Sequence, residues 1–189
     1  MLEELVQLDK AIFLYLNNLG VSTWDSFWLF VTNKLSSIPL YVVLLFFSYK
    51  QLGVKKTLLL LFAVVVMIGV TDQLANFFKY GVQRLRPCHD GEINTLMRLV
   101  KSYCGGKYGY FSAHAANSFA VAIFFTNVLK TKCKYLALFL FTWAALVAYS
   151  RVYIGVHFPL DILTGTGIGL FLGWLFTKLY IFALQKFPI

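Results

Sequence analysis

The sequence has 189 residues, of which 59% are hydrophobic and only 13% charged, with a formal net charge of +9. A soluble domain carries roughly 25% charged residues, so this composition, at a mean hydropathy of +0.71, excludes an ordinary water-soluble protein and makes lipid the main solvent. The positive charges fall between apolar runs rather than along a polar arm or stripe, which argues against a nucleic-acid partner.

In chain order, residues 1–20 read as an amphipathic helix. Leu2, Leu5, Val6, Leu8, Ile12, Phe13 and Leu16 share a broad apolar face. Asp9 and Lys10 make spanning costly, so an interfacial helix is expected, with a sixth span as the alternative. Glu3, Glu4 and Asp9 precede any sustained apolar run and no basic leader is present, so no cleavable signal is expected. A membrane-crossing helix needs about 20 residues. Residues 24–49, 57–80, 111–130, 134–151 and 157–183 meet that need, with an extracytoplasmic loop at 81–110. The fold class expected is an all-α polytopic transmembrane bundle forming one domain. Asn33, Lys34, Ser36 and Ser37 interrupt the first run, which is one broken span or two short helices. Lys50, Lys55 and Lys56, and then Lys130, Lys132 and Lys134, fall on one side and set it as cytoplasmic.

Three polar clusters interrupt the apolar pattern, all on the opposite side. Lys79 to Pro87 ends one helix with two cations and is stopped by Pro87; alone it would be a snorkelling anchor. Phe111-Ser112-Ala113-His114 opens the next span, where free N–H groups and the Ser112 hydroxyl suit an anion; alone it would be an N-cap serine. Ser150-Arg151 precedes His157 and Asp161, which stand four residues apart and so share a helix face. Together they offer phosphate-binding cations, two histidines and one orienting carboxylate. Carboxylates are too few for a magnesium centre, and no metal or cofactor is expected.

These motifs resemble the type 2 phosphatidic acid phosphatase superfamily. Lys79, six residues, then Arg86-Pro87 matches its first motif, and Ser150-Arg151, five residues, His157, three residues, Asp161 matches its third. The middle motif is usually Pro-Ser-Gly-His and here reads Phe111-Ser112-Ala113-His114. The resemblance covers Thr57 to about Phe182. It implies His157 as nucleophile through a phosphohistidine, Asp161 orienting it, and His114 as acid then base. Lys79, Arg86, Arg151, Ser112 and the N–H groups near Ala113 would hold the phosphate. The implied activity is metal-independent hydrolysis of a lipid phosphate or pyrophosphate at the outer face of a bacterial inner membrane, facing the periplasm or the outside. Undecaprenyl pyrophosphate, phosphatidylglycerol phosphate, phosphatidic acid and a lipid A phosphate are the substrate candidates. The bilayer and the lipid substrate are the expected partners, with no obligatory protein partner. A non-catalytic phospholipid-binding or transport protein is the alternative, and it would need no His–Asp pair.

Weaker signals remain. Asp72 and Asn76 lie at helical spacing with Lys79, with a structural role at least as expected for Asp72 as a catalytic one. His89 reads as a solvated loop residue. Cys88 and Cys104 flank the loop and could staple it with a disulfide in an oxidising compartment, while Cys133 reads as a free cytoplasmic thiol. Trp24, Trp28, Trp143 and Trp174 suit interfacial belts or helix packing. Gly165, Gly167, Gly169 and Gly173 are expected to let helices approach closely.

Overall fold

The computed structural model describes residues 1–129 and 135–187, so the expectations placed on Lys130, Lys132, Lys134 and Cys133 lie outside the described residues. Seven α-helices order the described chain: α1 (Leu2–Asn18), α2 (Asp25–Thr32), α3 (Ile38–Leu52), α4 (Val54–Val82), α5 (Ala113–Leu129), α6 (Leu136–Tyr153) and α7 (Pro159–Lys186). No strand forms among the described residues, and a single antiparallel bridge joins Leu85 to Tyr108. Four helical stretches, Lys34–Leu52, Val54–Val82, Leu136–Tyr153 and Pro159–Lys186, are long and apolar enough to cross a membrane, and Ala113–Leu129 is a shorter apolar helix. The chain is an all-α integral membrane protein.

The run at 24–49 is broken. Asn33 takes an extended conformation and caps a 3-10 turn at Lys34–Ser37 by accepting the Leu35 N–H at 3.0 Å. A polar asparagine competing with the helix backbone is the physical reason the span divides there. The turn from α3 into α4 uses Gly53 at φ 80°, a left-handed conformation that a side chain would strain.

Helix α5 lies at the centre, packed against α4, α6 and α7. Its contact with α7 is close because Gly165, Gly169 and Gly173 face the carbonyls of Ser112, Ala116 and Ala120, where a methyl would collide. Gly167 corrects the expectation for the fourth glycine: nothing lies near a Cβ built there. Spacing of four residues keeps three glycines on one stripe, and Gly167 falls off it. The main core gathers Leu44, Leu60, Met67, Val121, Phe124, Leu140 and Tyr180. Phe46, Phe62, Phe171 and Phe182 instead point outward, as lipid-facing side chains do.

Helix α1 packs across the end of the bundle that holds the 83–112 loop. Phe13 is fully buried and meets Phe158 edge-to-face at 5.3 Å. Asn17, also fully buried, donates from Nδ2 to the carbonyls of Arg98, Val152 and Tyr153 at 3.0, 3.1 and 2.9 Å, and accepts the Arg98 N–H at 2.7 Å. Polar contacts to backbone at the end of α6 hold α1 against that end of the bundle. In the loop, the sulfurs of Cys88 and Cys104 are brought together, with Cα atoms 6.2 Å apart.

Candidate active site

Each expected residue sits at a helix end, where backbone groups lack helical partners. Helix α4 ends as Gln83 turns left-handed at φ 55°, its N–H still bonded to the Lys79 carbonyl at 3.0 Å. The chain then crosses the bundle. Arg86 and Gly109 are fixed by backbone bonds to Lys107 and Arg84, at 3.1 and 2.9 Å. Arg86 also donates from Nε to the Tyr108 carbonyl at 3.2 Å and from Nη1 to that of Cys104 at 3.2 Å.

Ser112 precedes α5. Its Oγ accepts the Ala115 N–H at 3.5 Å, its carbonyl accepts the Ala116 N–H at 3.0 Å, and its own N–H bonds the Asp161 carbonyl at 3.0 Å. Ser112 is therefore an N-cap, and it is fully buried. The N–H groups of Ala113 and His114 belong to the first turn, where a helix has donors without partners. Phe111, at the usual proline position, is fully buried against Phe78 at 5.8 Å, so this departure from the family pattern serves packing.

Arg151 lies in the last turn of α6 and is buried; Nη1 donates to Thr32 Oγ1, while the buried Nε has no partner among the described residues. His157 and Asp161 flank the start of α7. Asp161 Oδ2 accepts the Phe158 N–H at 3.1 Å and lies 3.3 Å from His157 Nδ1. The Gly109 backbone also approaches that ring nitrogen, and a Cβ on Gly109 would sit 3.6 Å from it. With Nδ1 so engaged, Nε2 is the nitrogen left for chemistry.

One cavity of about 270 Å³ collects Lys34, Asp72, Asn76, Lys79, Arg86, Ala113, His114, Arg151 and His157. Lys79, Arg86, Ala113, His114, Arg151 and His157, drawn from three distant motifs, thus surround one space; Asp161 stands just behind His157, and the expected Ser112, fully buried, does not line it. Asp72 accepts from Asn117 Nδ2 at 2.9 Å, tying α4 to α5 at the cavity wall. A second, wider cavity of about 730 Å³ shares Arg86, His114, Arg151 and Lys34 and adds Lys101, Tyr103 and Asn33. Lys34 was legible only as a break in an apolar run. Its place over the site comes from the turn after α2, and its one sequence signal was a lysine where a span should have continued. His89 is exposed; its ligand atom and the sulfurs of Cys88 and Cys104 lie within 4.8 Å of one another, but the sulfurs engage each other.

Comparison with known proteins agrees with the geometry. The PAP2 superfamily model matches residues 56–184. A lipid A 4'-phosphatase of Porphyromonas gingivalis is 32% identical over 98% of this chain and 78% of its own length. A lipid A 4'-phosphatase of Bacteroides thetaiotaomicron is 35% identical, covering 93% and 78%. An undecaprenyl-diphosphatase of Sulfolobus acidocaldarius is 27% identical, covering 92% and 79%. Among solved structures, the PAP2-type phosphatidylglycerolphosphate phosphatase of Bacillus subtilis shares the fold at a TM-score of 0.73 and 22% identity, over 93% of this chain and 86% of that one. Aquifex aeolicus LpxE aligns at a TM-score of 0.66 and 25% identity, covering 89% and 93%. Matched over more than half its length by the family model, and built around that family's three motifs at one cavity, the chain belongs to the PAP2 superfamily.

Proposed function

We propose that the chain is a lipid phosphatase that removes a phosphate monoester from a lipid A-type glycolipid through a phosphohistidine on His157. The observation that carries the chemistry is the convergence of Lys79, Arg86, Arg151, His114 and His157 on one 270 Å³ cavity. Nε2 of His157 attacks phosphorus, and the bond from phosphorus to the lipid oxygen breaks. His114 gives its proton to that leaving oxygen. Asp161 holds Nδ1–H, fixing the tautomer and stabilising the charge that develops on the ring. In the second step His114 takes a proton from water, and the water oxygen attacks phosphorus. Inorganic phosphate leaves and His157 is restored. Lys79, Arg86, Arg151 and the N–H groups of Ala113 and His114 balance charge on the equatorial oxygens, with Ser112 capping the helix that presents those N–H groups. The reaction needs no resident metal in this scheme, because cations and backbone donors supply the electrostatics.

The wider cavity favours a bulky polar headgroup over phosphatidic acid, whose phosphate needs no such space. Lys101, Arg86 and Arg151 share its wall, so an entering anion meets positive charge there. The two lipid A 4'-phosphatases similar to this chain point the same way. The site then faces the periplasm from the inner membrane, since Lys50, Lys55 and Lys56 cluster at the α3–α4 turn. An oxidising periplasm also suits a disulfide between Cys88 and Cys104, closing the loop beside Arg86.

Phosphate release by the detergent-solubilised protein tests the proposal on a panel of lipid A, undecaprenyl pyrophosphate, phosphatidylglycerol phosphate and phosphatidic acid. Lipid A is expected to turn over fastest, and His157→Ala to release none. A wild-type protein that binds the lipids and releases no phosphate would instead support the binding or transport alternative.

A further inference from the structure

Arg84 lies within the first motif but does not line the 270 Å³ cavity, and it is held instead by two carboxylates and a ring. Its Nη1 donates to Asp161 Oδ1 at 2.8 Å, and its Nη2 pairs with Asp9 Oδ2. Its guanidinium lies over the Phe158 ring, 4.3 Å from the centroid. Asp9 in turn accepts the Leu160 N–H at Oδ1, 2.9 Å away, although 151 positions separate the two residues. Both carboxylates are buried, with side chains 2% and 0% exposed, so neither finds a substitute partner in water.

We infer that Arg84 and Asp9 are positioning residues: α1 holds Arg84, Arg84 fixes Asp161 Oδ1, and so Oδ2 stays aimed at His157 Nδ1. The inference rests on the reading of His157 as nucleophile. Every polar atom of the Asp161 carboxylate is then accounted for. Oδ1 meets Arg84, while Oδ2 meets the Phe158 N–H and the imidazole. Remove the guanidinium and Oδ1 is buried without a donor, and rotation about the Cβ–Cγ bond would relieve it at the expense of the His157 contact. The Leu160 N–H is one of the orphan donors at the start of α7, and Asp9 is its cap. The N-terminal helix is thereby part of the apparatus that sets the nucleophile, not only a surface anchor. Its two contacts reach Asp161 by different routes: one through a guanidinium, the other through the first turn of the helix that bears the carboxylate.

The test compares kcat and KM on lipid A micelles for wild type, Arg84→Met, Arg84→Lys, Asp9→Asn and Asp161→Asn, and for Arg84→Met and Asp9→Asn each combined with Asp161→Asn. Misplacement of a catalytic group by an ångström costs about 10²-fold. Arg84→Met is therefore expected to lower kcat by about that factor with KM little changed, and Arg84→Lys to recover part of it. Because Arg84 acts through Asp161, Arg84→Met adds little further loss once Asp161 is already Asn. A structural role would instead make the two losses multiply, and that result overturns the inference, as does a wild-type kcat in Arg84→Met. If Arg84→Met does not accumulate as folded protein, Asp9→Asn decides. It keeps an acceptor for Leu160 while losing the charge that holds Arg84, so its kcat must fall and the fall must vanish beside Asp161→Asn. Full activity of Asp161→Asn would remove the orienting role of Asp161 and overturn the inference, while loss of activity in His157→Ala would leave the nucleophile assignment standing. If wild type leaves lipid A intact, the substrate reading fails, and the same comparison on phosphatidylglycerol phosphate decides the positioning role.

Discussion

Asn17→Ala is expected to undock the N-terminal helix and destabilise the protein by about 3 kcal/mol. Asn17 is fully buried and makes four hydrogen bonds between 2.7 and 3.1 Å. One partner, the Val152 carbonyl, also accepts from Gly155 N–H at 3.0 Å and keeps that bond. Three groups lose a partner: the Arg98 N–H, the Arg98 carbonyl and the Tyr153 carbonyl. At about 1 kcal/mol net for each bond, the sum is about 3 kcal/mol. For a chain of this size that lowers Tm by about 6–12 °C, by the entropy scaling of globular domains. The assay is thermal unfolding of the detergent-solubilised protein, followed beside phosphate release. Asn17→Asp sharpens it. Asp has nearly the shape of Asn and keeps an acceptor for Arg98 N–H, but it sets a second oxygen against three carbonyls. Asn17→Asp must therefore be at least as damaging as Asn17→Ala. A tolerated aspartate would refute the hydrogen-bond account and leave side-chain volume as the cause.

Three further outcomes follow from the same geometry. Gly169→Val is expected to destabilise the bundle by about 1–3 kcal/mol or more, the range for overpacking, because its Cβ meets the Ala116 backbone; thermal unfolding checks it, with Gly167→Val as a near-neutral control. Lys101→Gln is expected to raise KM for lipid A several-fold while kcat holds, since it removes a cation from the wide cavity and none from the phosphate site; steady-state kinetics decides, and an unchanged KM counts against headgroup binding there. His114→Ala is expected to cut kcat by about 10²–10⁴-fold, the usual contribution of an acid–base group, and a substrate with a better leaving group should recover part of the first step.

The candidate site was legible because ionisable groups stand out against an apolar background. Lys79, Arg86, His114, Arg151, His157 and Asp161 each interrupt or end an apolar run, and their spacing carried the resemblance. The division of the first span was legible too, since Asn33 and Ser36 cannot be silent in a membrane helix. What the sequence could not supply was distance. Asp9 read as a reason for α1 not to cross the bilayer, and nothing in its neighbourhood pointed to Leu160 or Arg84. Lys34 read as an interruption rather than as a wall of the cavity. Gly167 looked equivalent to its neighbours because composition counts glycines, whereas helix geometry sorts them by face. For Asp9 and Lys34 the missing information was a contact between segments far apart in the chain, which local pattern does not encode.

The central claim is that phosphorus bonds transiently to His157 while groups from three helix ends hold its oxygens. Rapid quenching of the solubilised enzyme with phosphate-labelled lipid A, followed by peptide mapping under alkaline conditions, measures it directly. The account predicts an acid-labile, alkali-stable phosphoryl group on the peptide containing His157, and none in His157→Ala. Label on another residue, or turnover by His157→Ala, would contradict it.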